Sequence, residues 1–312
     1  MQPLVSLIIP TFNRVSLLGE TIDSIIAQTF KQWELIVVDD GSTDHSKELL
    51  EFYTKRDNRI KYYNRPLERL KGPNACRNYG FELSRGKYIN WLDSDDILYP
   101  KALKRKVDHI KSNDVIITTL NYINERKEVL HKVHKYKSSN LVRDYLVGKI
   151  TFYTVTPLWR KEFLVDQEEL FDEKISYLDD WDFNLRMLYK KPKMIFLDEA
   201  LIAVRVHEAS LSQQIIRFNF AEIKSELRAR KKHLLINIKK GKFDSIFLLN
   251  LMAYRTNLFL RDALIKNSPT KYYLFYNLIL IQILSLKLIG VVKSSIGFLS
   301  YSLFQKGYRF TK

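Results

Sequence analysis

Between residues 4 and 92 the chain alternates short apolar runs with segments of helix length, and this alternation restricts its folding more than any other feature. Residues 4–9, 34–38, 60–63 and 87–92 are rich in β-branched and aromatic side chains, the pattern of short strands, and of buried ones where the run is continuous. Between them, residues 16–28 carry Leu17, Leu18, Ile22, Ile25 and Ile26 at helical spacing, and residues 43–53 open on a Ser42/Thr43 cap with Asp44 in the first turn. Strands separated by whole helices pair in parallel, because a parallel pair needs a long crossover connection. The expected fold class is therefore α/β, with a mostly parallel, Rossmann-like sheet flanked by helices.

The rest of the chain departs from that rhythm. From about residue 121 to 212 short strand-like pieces mix with a stretch rich in Trp and Asp, around Trp159 and residues 179–182, which predicts a second half completing a site begun by residues 1–120. Residues 213–312 become helical, over 215–235 and 243–264, followed by an apolar tail from Pro269. A single cysteine, Cys76, excludes a disulfide framework and a cysteine-based zinc site. Met1 runs straight into the first apolar segment without a basic leader, so a cytoplasmic protein is expected.

Charge adds a further expectation. The 51 Lys and Arg against 35 Asp and Glu give a net charge of +16, a field that attracts nucleic acid, anionic membrane or phosphorylated ligands. After Asp262 there is no acidic residue, while Lys266, Lys271, Lys287, Lys293, Lys306, Arg309 and Lys312 punctuate the tail. The longest uncharged run there, residues 272–286, is 15 residues, short of the roughly 20 needed to cross a bilayer. An interfacial helix or a pair of them on the inner face of the cell membrane is expected, with a helical hairpin packed on the protein's own core or on another subunit of a homo-oligomer as the alternative.

Ligands of open α/β sheets bind beyond the carboxyl ends of the strands. The first apolar run leads into Pro10-Thr11-Phe12-Asn13-Arg14, the second into Asp39-Asp40-Gly41-Ser42-Thr43-Asp44, the fourth into Asp93-Ser94-Asp95-Asp96. Carboxylates crowded together call for a cation, and oxygen ligands without a His/Cys cluster favour Mg²⁺ or Mn²⁺ shared with substrate phosphates. The first turn has no glycine-rich dinucleotide fingerprint, and no G-x-x-x-x-G-K loop is present. Basic residues spread along helices, beside acidic strand ends, argue against nucleic acid as a partner.

These segments, in this order and spacing, together with Gln28-Thr29-Phe30, Arg77-Asn78, Phe171-Asp172-Glu173, Asp179-Asp180-Trp181-Asp182 with Arg186, and Arg205-x-His207-x-x-Ser210, resemble the inverting glycosyltransferases of family 2, which have the GT-A fold. The resemblance covers about residues 3–212 and implies a metal-dependent transfer of one sugar, hexosyl or N-acetylhexosaminyl, from a nucleotide-diphosphate donor, UDP-linked, to a hydroxyl of a glycan or lipid-linked acceptor in surface polysaccharide synthesis. It implies a donor site of Pro10, Thr11, Asn13, Arg14, Asp39, Asp40, Arg77, Asp93 and Ser94, with the base against Thr11 and Asp40 and the diphosphate near Arg77. Asp95 and His207 would hold the Mn²⁺ or Mg²⁺ of this DxD-type site, and Asp180 would be the catalytic base. Trp181 suits either acceptor stacking or core packing, and His45, His109, His131, His134 and His233 read as surface residues. The alternative function is a catalytically degenerate GT-A scaffold or binding protein at the membrane.

Overall fold

The computed structural model describes residues 3–132, 136, 138–206, 218–239 and 244–305. The chain divides into two compact units, residues 1–208 and 209–312. The first is built on a sheet of β1 (Val5–Thr11), β2 (Trp33–Asp39), β3 (Ile60–Asn64), β4 (Tyr88–Trp91), β5 (Ile97–Leu98), β6 (Val115–Ile123), β7 (Val129–Lys132), β8 (Pro157–Arg160) and β9 (Met194–Arg205). The strand order is β3-β2-β1-β4-β8-β6-β9-β5, with β7 paired to β6 beside this path.

Strands β3, β2, β1 and β4 are parallel, as the crossover rhythm requires. Their connections are α1 (Val15–Ile26), α2 (Ser46–Arg56) and α3 (Pro73–Leu83). Both faces of β1 and β2 are covered, so every residue of each is buried. On one face Leu7, Ile9, Leu35 and Val37 pack with Leu18, Ile22 and Ile25 of α1, and on the other Ile36 and Val38 meet Cys76 of α3. Beyond β4 the sheet is mixed: β8 runs antiparallel to both β4 and β6, while the long β9 runs parallel to β6. Helices α4 (Ala102–Ile110), α5 (Leu141–Leu146), α6 (Lys161–Val165) and α7 (Asp179–Tyr189) complete this unit among the described residues.

Parallel register sets the functional edge. Thr11 lies opposite Asp39, and Asp39 opposite Asn64. β4 stops at Trp91 opposite Ile8, and the next residue still donates Leu92 N–H to Ile8 O (3.0 Å). Asp93 therefore leaves the sheet on the same side as Thr11 and Asp39.

The start of α2 differs from expectation. Ser42 and Thr43 do not cap it; the helix begins at Ser46, and Asp44 accepts from Ser46 N (3.0 Å) and from Val15 N of α1 (3.1 Å). One carboxylate thus satisfies an otherwise orphaned amide at two helix starts. Burial opposes its ionisation, but the hydrogen bonds from Ser46 and Val15 prevail and hold it below the usual carboxylate range.

The second unit contains α8 (Phe220–Lys239), α9 (Asp244–Ile265), α10 (Thr270–Leu284) and α11 (Leu288–Phe304). Glu226, 1% exposed, pairs with Arg230 Nε (2.9 Å) and with Arg255 Nε (2.8 Å), tying α8 to α9. His233 corrects the expectation of a surface residue, for it is fully buried in α8. No described helix is long and apolar enough to cross a membrane.

Candidate active site

The loop after β1 and the loop after β2 are locked to each other by side chains with no helix of their own to cap. Asn13, at a left-handed φ of 51°, donates its N–H to Ser42 Oγ (2.9 Å) and accepts Thr43 N–H on its Oδ1 (2.8 Å). Asp39 accepts both the Ser42 amide (2.9 Å) and hydroxyl (2.6 Å). This explains why Ser42 and Thr43 are not helix caps. Pro10 sits within β1 opposite Val38, and Thr11 receives Asp40 N–H on its carbonyl (2.9 Å). The Thr11 Oγ1 is buried without a hydrogen-bond partner among the described residues, a polar atom for which a ligand would supply the hydrogen bond.

Asp40 has a partner that the sequence did not disclose. Its Oδ1 accepts Arg65 Nε at 2.5 Å, and Arg65 also donates to the carbonyls of Pro66 (2.8 Å) and Arg69 (2.6 Å). Arg65 therefore fixes the segment between β3 and α3 over the end of β2. No local motif marks it, because it lies 25 residues from the acid it pairs with.

The acids at the ends of β4 and α7 converge on Arg77. Its Nη2 donates to Asp93 Oδ1 (2.9 Å), and its Nη1 to Asp179 Oδ2 (2.6 Å) and Asn74 Oδ1 (2.8 Å). The guanidinium is buried, rests 5.3 Å from the Phe171 ring centroid, and lies above a Trp91–Phe171–Phe183 cluster. Burial alone would favour the neutral form, yet Asp179 and Asp93 hold the arginine more firmly protonated than usual. Asn78 braces the same place by donating to Phe171 O (2.9 Å) and Glu173 Oε1 (3.2 Å). The separate sequence segments around residues 77, 93, 171 and 179 thus form one hydrogen-bonded cluster.

Within it the two neighbouring acids at the start of α7 differ. Asp179 is paired with Arg77. Asp180 accepts the Trp181 amide (2.7 Å), and burial together with the adjacent Asp179 charge pushes its pKa up to about 7. Its charge also helps raise the pKa of Tyr122, Tyr145 and Tyr153, on which burial acts first, so these phenols lie in its field. Tyr122 and Tyr153 hydrogen-bond through their hydroxyls (2.8 Å). Trp181 is buried and donates its indole N–H to Tyr145 O (3.2 Å), which is core packing.

Around the Asp-x-Asp segment, Asp95 Oδ2 is 3.9 Å from Arg14 Nε. Arg205 Nε donates to the Asp95 carbonyl (3.1 Å), and Arg205 N to Asp96 Oδ1 (3.1 Å). Ser94 is buried, its carbonyl accepting Thr21 Oγ1 (3.1 Å). Burial and the charges of Asp95 and Asp179 raise the Asp93 pKa against Arg77, and burial with Asp95 and Asp93 raises Asp96 well above the usual range. Such crowding of hard oxygen donors fits Mg²⁺ or Mn²⁺. Among the described residues no three metal-ligating side chains gather by themselves. His207 lies outside the described residues.

A family model described as glycosyl transferase family 2 matches residues 6–168, just over half of the 312-residue chain. The chain belongs to that family. It is 30% identical over 223 residues to the uncharacterized glycosyltransferase EpsJ of Bacillus subtilis, covering 68% of this chain and 64% of EpsJ. An uncharacterized glycosyltransferase of Rickettsia felis is 35% identical over 178 residues, 56% of this chain and 29% of that protein. One from Methanocaldococcus jannaschii is 28% identical over 265 residues, 81% of this chain and 88% of that one. This family 2 chain thus spans under a third of the length of the Rickettsia relative and less than two thirds of EpsJ. Among solved structures, S. aureus TarS in complex with UDP aligns at a TM-score of 0.55 and 24% identity, covering 67% of this chain and 61% of TarS. TarS in complex with UDP-GlcNAc aligns at 0.57 and 19%, covering 98% and 76%. These likenesses show the shared fold, which agrees with the GT-A architecture expected from the sequence.

Proposed function

We propose that the chain is an inverting glycosyltransferase that moves one hexosyl or N-acetylhexosaminyl group from a UDP-linked donor to a hydroxyl of a glycan or lipid-linked acceptor, in surface polysaccharide synthesis. The observation that carries this reading is the division of labour in the Asp179–Asp180 pair. Arg77 engages Asp179 in a salt bridge, while Asp180 has a pKa of about 7, the range in which a carboxylate both accepts a proton and releases it at neutral pH. Membership of family 2 and the TarS complex with UDP support the donor class.

In the reaction the acceptor oxygen attacks the anomeric carbon as Asp180 takes its proton. The bond from that carbon to the diphosphate oxygen breaks, and its electron pair leaves with the nucleoside diphosphate. Thr11 Oγ1 and the Asp40–Arg65 pair face the nucleoside, with Pro10, Asn13 and Asp39 shaping their loops. Arg14, Arg77, Asp93 and Ser94 line the diphosphate and sugar side. Asp95 and His207 would hold Mg²⁺ or Mn²⁺, whose chemistry there would be charge neutralisation on the leaving diphosphate. Arg77 has a second task, because it holds Asp93 and Asp179 together.

The test is thermal unfolding with UDP, GDP, CDP or dTDP, each with and without Mn²⁺, on wild type and Asp95→Ala. Ligand at 100 times its Kd stabilises the native state by about 2.7 kcal/mol, so a Mn²⁺-dependent upshift with UDP, lost in Asp95→Ala, is expected. No shift with any nucleotide in a folded protein would overturn this reading in favour of a degenerate scaffold.

A further inference from the structure

Helices α10 and α11 are apolar around most of their circumference, and only part of that surface is covered. α10 buries Leu274, Leu278 and Ile281, yet leaves Tyr276, Leu280 and Leu284 exposed. α11 packs Phe298 against Phe275 of α10, with ring centroids 4.1 Å apart, and Ser294 accepts from Gln282 (3.0 Å). Away from these contacts, Ile289, Val292, Ile296, Leu299 and Leu303 are 75%, 57%, 47%, 57% and 70% exposed. Their spacing of three, four, three and four residues makes one stripe along the helix. The turn that leads into it leaves Leu286 85% exposed. A contiguous apolar surface of this kind marks an interaction site.

The charges around the stripe identify what covers it. Lys287 and Lys293 border it, and the chain has no Asp or Glu after Asp262. A second copy of this face would bring those lysines together across a seam with no acid to pair them, where helix dimers place opposite charges. An anionic lipid surface satisfies both requirements, taking the apolar stripe at the acyl boundary and the lysines at the phosphates. Exposed Tyr272 and Tyr276 suit the same interface, where amphipathic rings sit at headgroup level. The two helices have 15 and 17 residues, roughly 23 and 26 Å at 1.5 Å per residue, short of the hydrocarbon thickness of about 30 Å. We infer that α10 and α11 dock in the plane of an anionic membrane surface through the Ile289–Leu303 stripe and its flanking lysines.

The experiment is cosedimentation of the full chain with sucrose-loaded vesicles of phosphatidylcholine containing 30% phosphatidylglycerol (by design, about a third of the lipid), against pure phosphatidylcholine. Binding to the anionic vesicles alone is expected, and it weakens in high salt. Each lysine near such a surface strengthens binding about 5-fold, so Lys287→Glu with Lys293→Glu lowers the partition coefficient at least about 25-fold. Ile289→Ser with Val292→Ser and Ile296→Ser abolishes it. Both sets of substitutions lie on exposed positions, and unchanged circular dichroism and Tm verify folding. Failure to pellet with anionic vesicles, or equal pelleting with both, would overturn the inference. So would a dimer in light scattering that the three serine substitutions dissociate while anionic vesicles bind neither form, because the stripe would then belong to a second copy.

Discussion

Replacing Asp180 by Asn is expected to remove nearly all turnover and, in the same protein, to raise stability. In the folded state the Asp180 carboxyl titrates near 7 against a reference of 3.8, a difference of about 3 pKa units, and each unit corresponds to about 1.4 kcal/mol. For an acid whose folded pKa is raised, the native state binds more protons than the unfolded chain between those two values, so stability falls as pH rises through that window. Above pH 7 the full penalty applies, on the order of 2 kcal/mol for a carboxylate that keeps some access to solvent. Asparagine keeps the shape and removes the charge. At pH 8, without donor or divalent ions, Asp180→Asn should therefore unfold at a Tm higher by on the order of 5 °C, and the gain should vanish near pH 4, where wild-type Asp180 is already protonated. Turnover, followed by release of nucleoside diphosphate, should drop by about 10² to 10⁴-fold, and the wild-type kcat/KM should rise with pH along a limb near 7. A Tm gain that is the same at pH 4 and pH 8, or undiminished turnover, would refute the reasoning, because the carboxylate would then be neither strained by its surroundings nor the base.

Arg77→Met should be among the most damaging substitutions, costing about 3–5 kcal/mol, because it strands the Asp93 and Asp179 carboxylates without their shared partner; denaturant unfolding measures this, and a cost under about 1 kcal/mol would show that the cluster is not held by the arginine. Lys106 is fully buried in α4 with Nζ 2.8 Å from Asn90 Oδ1, and burial lowers its pKa to about 7. For a base whose folded pKa is depressed, stability is lost as pH falls from about 10.5 towards 7. Lys106→Met should accordingly gain most against wild type at pH 6 and little at pH 10.5, where the orphaned Asn90 oxygen costs about 1–2 kcal/mol; equilibrium unfolding at the two pH values checks the sign. Gly86→Ala should destabilise by about 1–3 kcal/mol, since a Cβ there would stand 2.6 Å from the Ser6 backbone nitrogen, and an unchanged unfolding midpoint would show that β1 can shift.

Much of the sheet was legible because its strands are buried on both faces. Residues 4–9 and 34–38 read as strands, and β1 and β2 cover them except for Leu4. The crossovers between them demanded parallel pairing, and the acidic strand ends marked the edge where the site lies. Periodicity also located α1 to within two residues at either end. It misplaced the start of α2, because Ser42 and Thr43 are good caps in isolation but are engaged by Asp39 and Asn13 in the fold. It missed the burial of His233 for a similar reason, since a lone histidine carries no sign of what another helix will pack against it.

What the sequence determined by itself is local: which segments are strands or helices, which turns end in carboxylates, and where the charge runs out after Asp262. Pairings across many residues were decided only by tertiary structure. The insertion of antiparallel β8 between β4 and β6 joins segments far apart in the chain that no local pattern pairs. The salt bridge from Arg77 to Asp179 spans 102 residues, and Arg65 reaches Asp40 over 25. The distinction between Asp179 and Asp180 is of the same kind. Two adjacent aspartates are chemically identical in the chain, and they differ in the protein because Asp179 hydrogen-bonds the buried Arg77 guanidinium, while Asp180 feels it only at a distance and sits in a poorly solvated place beside a like charge.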